Sequence, residues 1–464
     1  MTVTLIAILA IGATLFAFLR PKTAFLLVVF STPFMLGAKG NPVLMRVGLA
    51  ELVFTLFITA WLARMVIVRG NTRRLTTVHY LCILFMGTVL LSLVGIQEAF
   101  ASALLETVIL GYLVFFCLMA DQVIDNDEDV KRILDYWMMG AAVVAVVGLW
   151  DVAAVVTRAV PMLFPCKDPH RVMATFRRPP QLAVYALTTF FGAIAYSALG
   201  GMSARKRWFL HALAMAMVVL IIFTSRRSVL AALIVGMGLV IIMRTPRLSR
   251  ALIFATLFVA ALSVAHELVS QSPALEEFFG QRLRILYSGE ALDHPFLRAN
   301  VNDALTAFSE HPLMGIGYGT FSESEYASTG NEVHSSVLRV LGECGLVGTI
   351  VFVALTVCLF ILAYRNVRLS QGSPWQDVAR MILPALFALH VSYMYNRCFR
   401  DRTYWMMIAL VVALHRLLLA RRRQTALSAP ATRSFPPAPP PPLPAQPVAR
   451  GTGAAPDYPS GRQG

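Results

Sequence analysis

Charged residues are scarce in this sequence. They make up 14% of the 464 residues, whereas hydrophobic residues make up 57% and the mean hydropathy is +0.68. A soluble globular domain carries about 25% charged residues, so this composition excludes an ordinary soluble fold. The chain instead supplies repeated apolar runs of about 17 to 25 residues, the length that crosses about 30 Å of hydrocarbon. We therefore expect an all-α, polytopic membrane protein.

Cysteine patterns for metal or redox chemistry are also missing. The six cysteines form no CxxC pair and do not cluster with histidine, which argues against a zinc site or a thiol redox motif. An Asp-x-Asp spacing at Asp125 and Asp127 is typical of metal-dependent nucleotide-sugar transferases, but we interpret it as a solvated acidic loop. No metal and no cofactor is expected.

Composition predicts a different structural role for each end of the chain. Residues 1–19 have neither a basic n-region nor an A-x-A-like cleavage site, so a retained membrane segment is favoured over a signal peptide. Residues 421–464 are rich in Pro, Ala and Arg and are predicted to form a disordered cytoplasmic tail. Residues 1–420 are predicted to form a single transmembrane domain, with a periplasmic loop over 269–333 that contains short helices.

The apolar runs predict twelve or thirteen transmembrane helices. The ten clearest spans are 78–96, 101–119, 133–156, 182–199, 209–223, 229–243, 251–268, 337–362, 381–395 and 404–419. A further span is expected over 48–68. The first stretch, 4–35, is interrupted at Arg20-Pro21-Lys22, so it is interpreted as two short helices or as one span plus a partly inserted segment.

The net charge of +15 would suggest a nucleic-acid partner in a soluble protein. Here the basic residues lie mainly in short breaks between apolar runs, where they favour the cytoplasmic side, so no nucleic acid is expected. The breaks assigned to the cytoplasm are 64–74, 131–132, 205–207, 244–250, 365–368 and 421–423. The opposite, outer face then receives 157–181, 224–228, 269–333 and 396–403.

This outer face is nevertheless rich in arginine. Its eleven arginines are Arg171, Arg177, Arg178, Arg226, Arg227, Arg282, Arg284, Arg298, Arg397, Arg400 and Arg402. A guanidinium group presents a planar fork of donors that fits phosphate and keeps its charge. A single arginine is explained as well by a lipid headgroup or an acidic loop residue, but the set favours a diphosphate site.

The most specific pattern begins at His334 and continues as Ser-Ser-Val-Leu-Arg-Val-Leu-Gly-Glu-Cys-Gly-Leu-Val-Gly348, opening a helix at the outer boundary. With an ordinary pKa of about 6.5, a neutral histidine there can accept a proton from a sugar hydroxyl. The alternative is a boundary histidine bonded to a loop. Upstream lie Arg298, an amphipathic helix and His311-Pro-Leu-Met-Gly-Ile-Gly-Tyr-Gly-Thr-Phe321. Its GxGxG alone also fits a flexible turn.

This ordered series resembles the C-terminal half of the O-antigen ligase and polymerase superfamily, membrane glycan transferases that use polyprenyl-diphosphate-linked donors. The segment 171–185 and the Ser-Arg turn 224–227 resemble further motifs, so the resemblance covers 171–362. The sequence departs from the family pattern at Ser335, where Asn is frequent, and at Pro179-Pro180, where Pro-Asn is frequent. Both departures remove an amide group.

The resemblance implies a GT-C-like helical fold and a role in lipopolysaccharide biosynthesis. It implies metal-independent, inverting transfer of a glycan from undecaprenyl diphosphate to lipid A core, on the periplasmic face of a bacterial inner membrane. His334 is expected to act as the base, and Arg226 and Arg298 to stabilise the diphosphate. The remaining residues expected to bind substrate are Arg171, Arg227, Arg282, Arg284, Gly315 and Gly317. Membrane lipids are further expected partners.

Two other functions stay open at this point. A polymerase would use the same chemistry with a second lipid-linked glycan as the acceptor. A non-catalytic transporter of lipid-linked glycan would need charges along a central cavity, and the internal repeats typical of many transporters are not visible.

Two carboxylates in predicted spans, Glu343 and Glu106, are interpreted as structural partners of an arginine or a helix end. Glu343 lies about 13 Å deeper along its helix than His334 at about 1.5 Å per residue. We therefore do not expect these two side chains to contact the same substrate atom.

Overall fold

The regular structure of the chain is helical. The computed structural model describes residues 2–35, 49–68, 73–94, 96, 99–166, 171–243, 295–328, 330 and 332–428. Within these ranges the chain forms α-helices and a short 3₁₀ turn at Phe321–Glu323, and no strand is found there. The expected all-α class is confirmed.

Thirteen α-helices occur among the described residues. They are α1 (Thr2–Leu19), α2 (Pro21–Ser31), α3 (Leu49–Val68), α4 (Thr77–Ser92), α5 (Phe100–Val123), α6 (Asp127–Thr157), α7 (Pro179–Ser197), α8 (Ala204–Thr224), α9 (Arg227–Ile242), α10 (Pro295–Glu310), α11 (Ser336–Leu369), α12 (Gln376–Tyr393) and α13 (Arg402–Ser428). The first apolar stretch is divided into α1 and α2 at Pro21, which occupies the first position of α2, where a missing N–H is tolerated.

Six of these helices are long and apolar enough to cross a membrane by length and composition: α3, α5, α6, α8, α11 and α13. Four shorter apolar helical segments lie in α1, α2, α4 and α9. The total of twelve or thirteen spans therefore stays a prediction. The predicted span 251–268 and the first part of the predicted loop, 269–294, lie outside the described residues, as do 429–464 of the predicted tail. The last helix, α13, continues past 420 to Ser428.

Helix packing and a few polar side chains hold the interior together. α7 packs against α8 and α12, and α11 packs against α4, α10 and α12. Inside, the Trp137 indole N–H donates to Thr189 Oγ1 at 3.1 Å. The Asn366 side-chain amide donates to the Val411 carbonyl at 2.9 Å. Such bonds join helices where the surrounding apolar medium offers no water as a partner.

One end of the helical body is stabilised by ion pairs that include residues of the predicted cytoplasmic breaks 64–74 and 205–207. Lys22 lies 2.6 Å from Asp125 and 2.7 Å from Asp129, and Lys206 lies 2.6 Å from Asp135. Asp125 also pairs with Arg73. The acidic loop at 125–129 therefore neutralises basic residues of other segments, in addition to opening α6.

The other end brings together segments that the charge pattern had placed on the outer face. The Val172 N–H donates to Phe223 O at 3.3 Å, and the Asn396 side chain donates to Ser228 Oγ at 3.1 Å. Ser336 Oγ donates to Asn396 O at 2.7 Å. We call this the arginine end and define it as residues 171–178, 224–228, 332–336 and 395–402.

Candidate active site

His334 lies at the arginine end, two residues before α11 begins. Its Nδ1 lies 2.8 Å from the backbone carbonyl oxygen of Glu332. A carbonyl oxygen can only accept, so Nδ1 carries the hydrogen and Nε2 is the basic nitrogen of the neutral ring. Ser335 is the N-cap of α11 and accepts a bond from the Leu338 N–H. The short segment 332–336 thus sets both the start of the helix and the tautomer of the histidine.

The surroundings of His334 favour its neutral form. Burial lowers the pKa of His334 below its ordinary value, and the positive charges of Arg226 and Arg178 lower that pKa further. The ring is therefore neutral at neutral pH and able to accept a proton. Hydrogen bonds from Asn396 to Ser228 and from Ser336 to Asn396 bring the turn that contains Arg226 close to the start of α11.

Arg226 and Arg227 occupy the tight reversal between α8 and α9. Ser225 ends α8 in the left-handed region with φ of +56°, and Arg226 follows as the N-cap of α9. A side chain in this region costs about 1 to 2 kcal/mol, which the surrounding packing must offset. The reversal places two guanidinium groups at a helix N-terminus, where the N–H groups and the helix dipole already favour an anion.

The segment 171–178 lies beside this turn. Arg171 precedes Val172, whose N–H donates to Phe223 O, one residue before the end of α8. Arg178 is the exposed N-cap of α7. Arg177 contacts a different part of the protein, because its Nε–H donates to the backbone carbonyl of Met35 at 2.8 Å. Arg178 and Arg226 therefore contribute positive charge near His334, and Arg171 lies in a segment beside the same turn.

The GxGxG segment packs into a break in α11. Gly345 has φ of +62° and ψ of −160°, which interrupts the helix. The loop supplies the missing backbone bonds: the Ile316 N–H donates to Gly342 O at 3.0 Å, and the Gly317 N–H donates to Glu343 O at 3.0 Å. In return the Leu346 N–H donates to Pro312 O at 2.8 Å.

The glycines allow this close backbone contact. A Cβ on Gly315 would lie 2.4 Å from the Glu343 carbonyl carbon, and one on Gly317 would lie 2.0 Å from Ile96 Cδ1. Gly315 also borders a cavity of about 500 Å³ between this loop and the α4–α5 connection. Contact with the protein itself accounts for both glycines, and their role in substrate binding stays a prediction.

Comparison with known families bears on this arrangement. Residues 212–353 match the family model described as O-antigen ligase. This segment is therefore similar to the O-antigen ligase family, and we refer to residues 212–353 as the O-antigen ligase domain. It contains Arg226, Arg298, His334 and the GxGxG loop, so the resemblance to the O-antigen ligase and polymerase superfamily is confirmed. No curated protein matches the chain.

Within the O-antigen ligase domain, Arg298 lies in the first half of α10, and its side chain is exposed. A Cβ on Gly342 of α11 would lie 3.5 Å from the Ala304 carbonyl oxygen, while the Val347 N–H donates to Leu313 O at 3.3 Å. Ala304 of α10 therefore packs against Gly342 of α11. Arg298 precedes Ala304 by about 9 Å along α10.

The same domain contains a buried ion-pair network. Arg339 and Glu343, one helical turn apart on α11, lie 2.8 Å apart and have no exposed surface. The Arg339 guanidinium also lies 3.4 Å from Glu332, 3.9 Å from Glu106, and over the Tyr318 ring at 5.0 Å. As predicted, Glu343 pairs with an arginine. Sequence reasoning missed Arg339, although the i, i+4 spacing of opposite charges on an apolar helix was a visible signal.

Three arginines of the outer face contact carboxylates of the protein. Arg397 pairs with Glu332, Arg400 with Glu106, and Arg402 with Glu51. Glu106 thus also has the arginine partner expected for it. Arg397, Arg400 and Arg402 thus have carboxylate partners within the protein, and the diphosphate contact suggested by the charge pattern stays a prediction for them. Arg282 and Arg284 lie outside the described residues.

Proposed function

We propose that this protein is a glycosyltransferase of O-antigen ligase type. It transfers a glycan from undecaprenyl diphosphate to lipid A core at the periplasmic face of a bacterial inner membrane. The observation that carries the proposal is that His334, neutral and with Nε2 unprotonated, and Arg226 both lie at the arginine end, inside the O-antigen ligase domain.

In the proposed reaction the acceptor hydroxyl oxygen attacks the anomeric carbon of the donor glycan. The bond between that carbon and the diphosphate oxygen breaks as the new glycosidic bond forms, which inverts the configuration at the carbon. Nε2 of His334 takes the hydroxyl proton, and the polyprenyl diphosphate leaves with the bonding electron pair. A positioned base of this kind contributes about 100- to 10,000-fold to the rate.

The leaving group requires positive charge where negative charge develops. Arg226 and Arg298 serve this purpose in the proposal, with Arg227 and Arg171 holding the diphosphate and the N-terminus of α9 adding to the field. Charge matching makes the diphosphate a good leaving group, so the proposed mechanism uses no metal ion.

The base and the anion site are electrostatically coupled. The arginines that lower the pKa of His334 in the free protein are those proposed to contact the diphosphate or to lie beside it. A bound diphosphate offsets their charge and raises the pKa of the imidazole. His334 thereby becomes a stronger base when the donor is bound.

The acceptor distinguishes a ligase from a polymerase. The description of the matching family favours the ligase. The test offers polyprenyl-diphosphate glycan to purified wild-type protein, with either lipid A core or a second carrier-linked repeat as the acceptor. We expect product on lipid A core only, and we expect loss of that product in His334→Ala.

His211→Ala is the matched control, because His211 lies in the first half of α8, about 20 Å along the helix from its end at Thr224, and bonds to Ser197 at 3.1 Å. It should retain activity. Ladders of carrier-linked product without lipid A would assign the chain as a polymerase. Unchanged transfer in His334→Ala would remove the histidine from the chemistry.

A further inference from the structure

Glu332 contacts its neighbours through both its backbone and its side chain. Its backbone carbonyl accepts the Nδ1–H of His334 at 2.8 Å. Its carboxylate pairs with Arg397, from the connection between α12 and α13, and lies 3.4 Å from Arg339 of α11. The residue that orients the histidine is therefore itself held between two arginines.

The position of this carbonyl controls the direction of Nε2. The two ring nitrogens are in fixed positions on the imidazole, so the direction of the Nδ1–H bond sets where Nε2 points. Glu332 lies in a loop, where no helical hydrogen bonding fixes the direction of its carbonyl. Contacts of its side chain with neighbouring elements supply such a constraint.

The arginines that hold Glu332 are anchored in turn. Arg339 is fully buried, and its Nε donates to Glu343 Oε2 at 2.8 Å. The same Glu343 oxygen accepts the Gly319 N–H at 2.9 Å. A continuous chain of contacts thus joins the GxGxG loop to Arg339, then to Glu332 and finally to the imidazole of His334.

We propose that Glu332 is a positioning residue for His334. Held between Arg397 and Arg339, its carboxylate fixes the backbone carbonyl that receives the Nδ1–H of His334, and this contact directs Nε2 toward the acceptor hydroxyl. The inference rests on the proposed function, since it concerns the base of that reaction. It also gives Arg397 a role in orienting the base instead of a contact with the diphosphate.

Glu332→Gln tests the proposal, because it keeps the size of the side chain and removes its charge. The plateau value of kcat is expected to fall about 10- to 100-fold with little change in the KM of the donor, since misplacement of a base lowers proton transfer. Glu332→Asp retains the charge on a shorter side chain and is expected to recover part of kcat. Glu325→Gln removes an exposed carboxylate of the preceding loop and serves as the matched control.

The pH profile separates positioning from a purely electrostatic effect. Removing an anion near His334 lowers the pKa of the imidazole, so an electrostatic role alone would move the acidic limb to lower pH and leave the plateau kcat unchanged. That result would overturn the proposal. Equal kcat per folded molecule with a lower melting temperature would indicate a structural role and overturn it as well.

A double substitution provides a second measurement in case Glu332→Gln folds poorly. Arg397→Gln removes the other charged partner of the Glu332–Arg397 ion pair. If the pair acts through one carbonyl, the double variant Glu332→Gln/Arg397→Gln is expected to lose no more kcat than the worse single variant. Independent, multiplicative losses would contradict the proposal.

Failure of this inference can be distinguished from failure of the proposed function. If wild-type transfer is abolished in His334→Ala but unchanged in Glu332→Gln, the inference is overturned and the proposed function stands. If the wild-type protein shows no transfer, the proposed function itself is overturned.

Discussion

Arg339 and Glu343 form an ion pair inside α11, with 2.8 Å between Nε and Oε2 and no exposed surface on either side chain. Removing one partner of such a pair leaves a buried charge uncompensated, which is strongly unfavourable. Glu343 also accepts the N–H of Gly319. These contacts thereby join the glycine loop to the helix that follows His334.

Arg226→Gln is expected to lower kcat/KM for glycan transfer by about 100- to 1000-fold, the loss typical of removing one donor to a developing negative charge. Arg226→Lys should recover only part of this loss, because an ammonium group lacks the planar fork that binds phosphate oxygens in pairs. Transfer kinetics with purified variants measure both effects. Arg205→Gln, an exposed charge at the first turn of α8, controls for net charge. Equal losses in Arg226→Gln and Arg205→Gln would contradict a specific anion site.

Arg178→Gln is expected to move the acidic limb of the pH–rate profile to higher pH. The neutral imidazole is the active form, so activity is lost as the pH falls through the pKa of His334. Burial, Arg226 and Arg178 lower that pKa, and removing the Arg178 cation raises it. The shift should be less than about 1 pH unit, since Arg178 is exposed and its charge is screened by salt. A limb that moves to lower pH would show that another group governs the profile.

Gly315→Ala is expected to destabilise the protein much more than Gly372→Ala. Both glycines have positive φ, +72° and +74°, so alanine introduces similar backbone strain at each position. At Gly315 the new Cβ would lie 2.4 Å from the Glu343 carbonyl carbon, whereas nothing lies within 4 Å at Gly372. Thermal unfolding in detergent, followed by tryptophan fluorescence, measures the difference. Similar melting temperatures would argue against tight packing of the loop into the helix break.

The proposed orientation predicts which end of the helical body faces outward. In a Cys166→Ser/Cys358→Ser background, which removes the two partly exposed native cysteines, Arg178→Cys is expected to react with a membrane-impermeant thiol reagent in right-side-out vesicles. Arg205→Cys, in a predicted cytoplasmic break, should react only after permeabilisation. The reversed pattern would place the arginine end in the cytoplasm and remove access to a periplasmic acceptor.

Sequence patterns predicted helices and helix-end motifs where all the residues of the pattern lie in one segment of the chain. The apolar runs predicted the helices from α4 to α9 and from α11 to α13, because an apolar segment in lipid must satisfy its own backbone hydrogen bonds. The Ser-Arg turn at Arg226 and the histidine pattern at His334 were likewise recognisable. Each of them is a short motif at a helix end.

The sequence did not show which residues from distant segments contact one another. The charge pattern places Arg397, Arg400 and Arg402 on the same face as the proposed anion-binding arginines, yet each of the three contacts a carboxylate of the protein. A count of charges on one face does not show which side chains neutralise one another. For the same reason the GxGxG pattern indicated a turn but gave no sign that its partner was the break at Gly345.

The sequence by itself determined the helical class, the family of residues 212–353 and the identity of the histidine and arginine that carry the proposed chemistry, because each depends on local composition or spacing. Only the tertiary structure decided that Glu332 holds His334 and that Arg339 and Arg397 hold Glu332. Those contacts join segments brought together by helix packing, and the energy of a buried charge depends on its neighbours in space.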